Sequence, residues 1–419
     1  MGSIAHLLQQ EKHYLRLFGA GIVNGIGDRF SQVALLSLLL ELTGSGWAVG
    51  AVLAIRVFPF LLFGPLGGKL ADQFSRKNIL IITDLSRIIF AISLAFANSA
   101  DDIWLIYIST FMLAAGESIY APARKSWIPL LVKKDHIIKI NSLEQVMLGI
   151  VLIGGSLSGG IVAFYFGTDL TFWLNGLSFL LAAFMIASIP FVHRKREPDK
   201  EKRTGIFHSI QTIKKLVIAS ATLYIVCLFE LIVPLFNGID NVLISIYAIQ
   251  EFHLGDIGVG LFYGALGVGL MLSFMISQRI TQHLLFIGLA ALIIEGIGLM
   301  VLSHVYLAWI ACLLYIFISF ASGICNTCMD SIVMQETPVG QQGFVFGWLV
   351  TVSNTFIGIS MFTAGIILEA VSNRMLGLLG GIGFVLTGLF LAMVYWTKQK
   401  KRMMRKESFD TNSRGEDTR

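Results

Sequence analysis

The chain has 419 residues, of which 55% are hydrophobic and only 14% charged, whereas a soluble domain of this size carries closer to a quarter charged residues. With a mean hydropathy of +0.77, water cannot be its main solvent. The formal net charge of +5 is too small to point to nucleic acid, and 42 glycines beside 8 prolines fit close helix packing in lipid and show no collagen-like period.

Crossing a hydrocarbon core of about 30 Å takes about 20 helical residues. Apolar runs of that length predict twelve spans. The first six are Tyr14 to Leu42, Trp47 to Gly68, Ile79 to Ala97, Ile103 to Ala121, Ile140 to Phe166 and Leu170 to Val192. After a charged interval come Ala219 to Gln250, Ile257 to Ser277, Leu284 to Ser303, Val305 to Cys328, Phe344 to Ala370 and Leu376 to Trp396. The two halves meet at His193 to Lys215, a basic polar segment that reads as a linker.

Four segments follow: a six-helix half over residues 1–192, a cytoplasmic linker over 193–215, a second six-helix half over 216–397, and a disordered cytoplasmic tail over 398–419. Threading the spans alternately puts about 27 of the 31 Lys and Arg on one side, including an Arg124 to Lys139 loop, and only Arg374 on the other. Both termini are therefore expected in the cytoplasm, in a multi-pass inner-membrane protein. A faint internal repeat supports two halves: Asn24-Gly-Ile-Gly-Asp28 in the first span has a counterpart in Asn237-Gly-Ile-Asp240 of the seventh.

Ionisable residues inside spans cost on the order of 2.5 to 3.5 kcal/mol each and ask for a reason. Asp28, Arg29 and Arg56 fall near mid-depth. Neighbours on a helix diverge by about 100°, so Asp28 cannot share a face with Arg29 and is expected to meet Arg56 on the next helix. Glu230 and Asp240 flank Pro234 in the seventh span, and Glu295 lies in the ninth; all three are candidates for substrate or proton contact. Glu117 falls toward the cytoplasmic end of the fourth span. Asp84 and Arg87, three apart on one helix face, are expected to form a structural pair.

All 8 histidines lie in loops, tails or flanks, and the 4 cysteines lie in apolar runs, so neither a metal site nor a disulfide framework is expected, and no cofactor. Proton movement, if any, falls to carboxylates. A membrane-embedded lipid-modifying enzyme would need an acid-base or nucleophile cluster at an interface, and the sequence offers none.

The most specific local signal is Gly64-Pro-Leu-Gly-Gly-Lys-Leu-Ala-Asp-Gln-Phe-Ser-Arg-Lys-Asn-Ile-Leu80, between the second and third spans. From Gly68 it resembles the signature of the major facilitator superfamily, with Asp72, Arg76 and Lys77 in register and Gln73 and Ser75 replacing the usual Arg and Gly. An acid and two bases at a helix end can lock one conformation by pairing with a neighbouring helix terminus. Further pieces resemble the bacterial enterobactin and macrolide exporter branch: Gly27-Asp28, Glu41-Leu-Thr-Gly44, Pro59 to Pro65, Asp84-Leu-Ser-Arg87 and Trp127-Ile-Pro129. In the fifth span Gly155-Ser-Leu-Ser-Gly-Gly160 stands where antiporters of the superfamily carry Gly-Pro-x-x-Gly-Gly.

The resemblance implies an all-α membrane protein with twelve transmembrane helices in two pseudo-symmetric halves. It implies a monomer that exports an amphipathic small molecule, of drug, macrolide or siderophore type, against proton entry. Uptake or exchange of a metabolite or lysolipid by the same fold is the alternative. The expected partners are the small-molecule substrate, protons and the lipid bilayer.

Overall fold

The computed structural model of the protein describes residues 10–43, 46–190, 211, 216–218, 220–338 and 340–416. Most of the linker, the Gly44-Ser45 link and the first nine residues lie outside them.

Long apolar runs fold as helices because a backbone in lipid must satisfy its own N–H and C=O groups. The described long helices are α1 (Lys12–Thr43), α2 (Gly46–Gln73), α3 (Arg76–Ser93), α4 (Ile103–Leu131), α5 (Ile137–Phe166) and α6 (Thr168–Ala187). The second set is α7 (Ala221–Ile246), α8 (Gly255–Ser277), α9 (Leu284–Leu302), α10 (Ala308–Glu336), α11 (Gln342–Ile367) and α12 (Asn373–Glu416). Ten of these regions, from α3 onward, are long and apolar enough to cross a membrane. Prolines inside α2, α4 and α7 are tolerated, as is usual where neighbouring helices re-satisfy the freed backbone groups.

Three boundaries differ from expectation. The fourth span was expected to end at Ala121 and the tenth at Cys328, yet α4 runs to Leu131 and α10 to Glu336. Charged residues beyond the apolar run are helical there because they find partners, so Arg124 and Lys125 belong to α4 and not to a loop. The tail expected to be disordered from Lys398 is helical as far as Glu416; a transmembrane helix supplies the nucleus, and the Lys, Arg, Gln and Met that follow propagate it at little cost.

Packing repeats with a shift of six helices. In the first set α1 packs on α5 and α6, α3 on α4 and α6, and α2 on α4. In the second, α7 packs on α11 and α12, α9 on α10 and α12, and α8 on α10. Two seams join the sets, α2 with α11 and α5 with α8, and the same shift exchanges them.

Glycine makes both seams close. A Cβ on Gly68 would lie 2.9 Å from the Phe344 Cα, and one on Gly347 3.0 Å from the Gly68 Cα. On the other seam a Cβ on Gly267 would lie 2.8 Å from the Gly149 carbonyl oxygen. Backbone meets backbone at each place, which is how helices gain contact where lipid offers no hydrophobic drive.

Candidate functional site

One end of the bundle gathers the helix termini around Asp72, Arg76 and Lys77, and it is called the basic end here. Asp72, in the last turn of α2, accepts hydrogen bonds from the backbone N–H groups of Gly343 (2.9 Å) and Phe344 (2.8 Å) at the start of α11. A carboxylate at a helix N-terminus meets unpaired donors and the positive end of the dipole. Gly68, one turn earlier, lets α2 come near enough. Arg76 holds Asp72 at 3.2 Å and donates to Ser126 of α4 at 3.1 Å. Lys77 turns elsewhere: its Nζ donates to the carbonyls of Ala187 (2.7 Å) and Ile189 (2.6 Å), closing the C-terminus of α6.

Further hydrogen bonds cross between the helix sets near this end. Lys125 of α4 donates to both oxygens of Asp330 of α10, at 2.9 and 3.0 Å. Asn141 of α5 donates to Ser331 of α10 at 2.9 Å. Beside Lys125, Arg124 stays within its own set and pairs with Glu144, which also accepts from Tyr14 at 2.7 Å. None of Lys125, Asp330, Arg124 or Glu144 was among the sequence candidates. The signal was a polar residue continuing the helical run past an apolar stretch, and it was lost when α4 and α10 were expected to stop short.

Deeper in the first set, Arg87 of α3 is the hub of a charge cluster. Its guanidinium lies 2.6 Å from Asp28 of α1, 3.0 Å from Glu117 of α4 and 3.9 Å from Asp84 on its own helix. Phe179 covers it, with the ring centroid 4.2 Å away, and Gly116 leaves its stem room, since a Cβ there would lie 2.7 Å from the Arg87 Cγ. Asp84 is fully enclosed and accepts from Asn24 at 2.8 Å. The Arg87 side chain is 2% exposed, whereas Asp28 and Glu117 keep 28% and 37%, so the two outer carboxyls face open space while the guanidinium does not. At 1.5 Å per residue Asp28 stands about 24 Å along α1, near the middle of that helix.

This corrects the expected Asp28–Arg56 pair. Asp28 takes Arg87, and among the described residues no carboxylate lies within ion-pair distance of Arg56. The reason is packing: α1 runs along α5 and α6, which aims Asp28 inward, where the long Arg87 side chain reaches it. The Asp84–Arg87 contact exists but is the longest of the three. Arg29 is exposed and donates to Gln32 at 3.4 Å.

The second-set candidates do not join this cluster. Glu230 lines a cavity of about 240 Å³ enclosed by α4, α5, α7, α10 and α11, whose wall also carries the Lys125–Asp330 pair. Asp240 borders a much smaller apolar pocket with Phe236, Tyr247 and Phe384. Glu295 is buried in α9. Among the described residues no group of three or more His, Cys, Asp or Glu is placed to hold a metal ion.

Residues 17–361 match the family model of the Major Facilitator Superfamily. Over 396 residues the chain is 22% identical to "Uncharacterized MFS-type transporter YfiS" of Bacillus subtilis, covering 91% of this chain and 93% of that one. It is 24% identical to "Putative bacilysin exporter BacE" of the same species, over 92% and 94% of the two chains. Among solved structures, the human organic anion transporter MFSD10 superimposes with a TM-score of 0.75 at 15% identity, over 91% of this chain and 99% of that one. FucP in the outward conformation gives 0.70 at 14%, over 91% and 98%; at such identities these likenesses speak to fold alone. The match of the family model over most of the chain, carried by the same helices that hold Asp72 against α11 and Arg87 among three carboxyls, makes this protein a member of the Major Facilitator Superfamily, a multi-pass membrane transporter and not an enzyme.

Proposed function

We propose that the protein is a proton-driven exporter of small molecules that works by alternating access between two six-helix halves of a twelve-span bundle. It acts as a monomer in the inner membrane with both termini in the cytoplasm, so the basic end faces the cytoplasm. In the described state that end is shut by Asp72 on α11, by Lys125–Asp330 and by Asn141–Ser331.

The observation that carries the reading is the Arg87 cluster. One guanidinium is shared by three carboxyls at membrane depth, and full ionisation would leave two uncompensated negative charges where each costs on the order of kilocalories. A proton that arrives at Asp28 or Glu117, the two accessible members, relieves that repulsion and weakens the hold of Arg87 on α1. Proton occupancy thereby has unequal affinity for the two arrangements of the helices, which is what a driving ion requires. Export as the direction is supported by the motif resemblance and by the likeness to the putative bacilysin exporter BacE. A lysophospholipid transporter of Klebsiella pneumoniae, 24% identical over 36% of this chain, supports lysolipid movement as the other arm.

The test is flux in proteoliposomes of known orientation with an imposed pH gradient, screened against dyes, macrolides, siderophores and lysolipids. Gradient-dependent export that is lost in Asp28→Asn is the expected result. Undiminished gradient-driven flux in the Asp28→Asn, Glu117→Gln double variant would rule the proton route out.

A further inference from the structure

The roughly 240 Å³ cavity between the two helix sets carries an uneven charge balance. Lys125 is already satisfied by a symmetric bond to both oxygens of Asp330. Glu230 is a second acid in the same wall. Ser353 stands in the same wall, and among the described residues no Lys, Arg or His lies within ion-pair distance of Glu230. Two carboxyls against one lysine give the cavity, with Glu230 ionised, one negative charge in excess. In an environment much less polar than water that excess is a strong attraction for a cation and a barrier to an anion.

The rest of the wall is rich in carboxamides. Gln145 of α5, Asn237 of α7, Asn326 of α10 and Asn354 of α11 face the same space, and each offers both a donor and an acceptor. Such groups suit a ligand with its own hydrogen-bonding body, since a purely apolar one would strip their water and leave them unpaired. The volume is also below the roughly 300–1,000 Å³ of drug-sized sites, too small for a macrolide.

Taking this cavity as the transport site of the exporter read above, we propose that its substrate class is a small organic cation, a protonated amine on a polar body, with Glu230 as its counter-ion. Lys125–Asp330 serves as the neutral floor beneath it. Phe229 and Phe346 in the wall supply the apolar contact that a short carbon skeleton needs.

Binding, which needs no gradient, tests this separately from export. The full-length protein in lipid nanodiscs is titrated calorimetrically at neutral pH with three probes of similar shape: tyramine (cation), tyrosine (zwitterion) and 3-(4-hydroxyphenyl)propionate (anion). Agmatine and choline serve as cations without the ring. At least one cation should bind about tenfold or more tightly than the zwitterion and the anion, as a charge-assisted contact to a carboxylate implies. Glu230→Gln should weaken that cation by a similar factor, and Glu230→Asp should recover part of it. No cation binding up to about 10 mM, equal binding of the anion or zwitterion, or unchanged affinity in a folded Glu230→Gln protein would overturn the proposal. The charge series on the unaltered protein decides the matter even if the variants fail to fold. Failed cation binding with intact gradient-driven export sinks only the substrate class; the reverse result sinks only the export reading.

Discussion

Asp72→Asn is the sharpest perturbation of the basic end. Asp72 uses one oxygen for Gly343 N–H and the other for Phe344 N–H, so it caps α11 from another helix. Asparagine keeps the size but removes the charge and replaces one acceptor by an NH₂ group facing a donor. A hydrogen bond to a charged group contributes about 1.5 to 3 kcal/mol, and a favourable charge at a helix N-terminus about 0.3 to 1 kcal/mol. The ion pair to Arg76 lies four residues away on the same side of the seam and persists in either state, so it drops out of the difference. What the closed state loses is therefore about 2 to 4 kcal/mol, a shift of roughly 30- to 900-fold toward opening at the basic end. The measurement is pulsed dipolar spectroscopy between spin labels at the exposed positions Lys134 and Gln335, in a cysteine-free background. The asparagine variant should populate a longer distance that the unaltered protein lacks. An unchanged distance distribution would refute the claim that Asp72 holds α2 to α11.

Gly68→Val should open the same seam without touching any charge, because its Cβ would meet Phe344 Cα at 2.9 Å and backbone cannot yield; the same pair of labels reads it. Arg87→Leu leaves three carboxyls around an apolar side chain and should cost about 3 to 5 kcal/mol, seen as a lower melting temperature and poorer yield in detergent. Asp240→Asn and Glu295→Gln should by contrast leave the melting temperature unchanged or raise it, since neither carboxyl has a cation within ion-pair distance among the described residues and a neutral amide is cheaper to bury; a loss comparable to that of Arg87→Leu would show a hidden partner.

The all-helical membrane class and the signature loop were readable because both are local. A run of apolar residues announces a helix whatever surrounds it, and Gly68, Asp72 and Arg76 sit within nine positions of one another. Asp28's true partner was not readable in the same way. Sequence order suggested Arg56 on the following helix, but α1 packs along α5 and α6, and only that arrangement brings Arg87 into reach. Lys125 and Asp330 were hidden for a different reason. Each lies about 9 Å inside its helix end, past the point where hydropathy falls, so a rule based on apolar runs places them in loops. Their helical state depends on each having the other, a contact 205 residues apart in the chain.

The packing repeat gives the charges a common frame. Under the six-helix shift α3 corresponds to α9, and Arg87 and Glu295 each stand as the twelfth residue of their helix. Likewise Asp28 and Asp240 belong to the corresponding helices α1 and α7. Among the described residues the same scaffold thus holds a guanidinium among carboxyls in one helix set, whereas in the other neither Asp240 nor Glu295 has a cation within ion-pair distance. Since the packing is shared and the charges are not, the difference cannot be a requirement of the fold. That asymmetry is what the proposed division of labour rests on: proton exchange at the Arg87 cluster and cargo at the cavity that Glu230 lines.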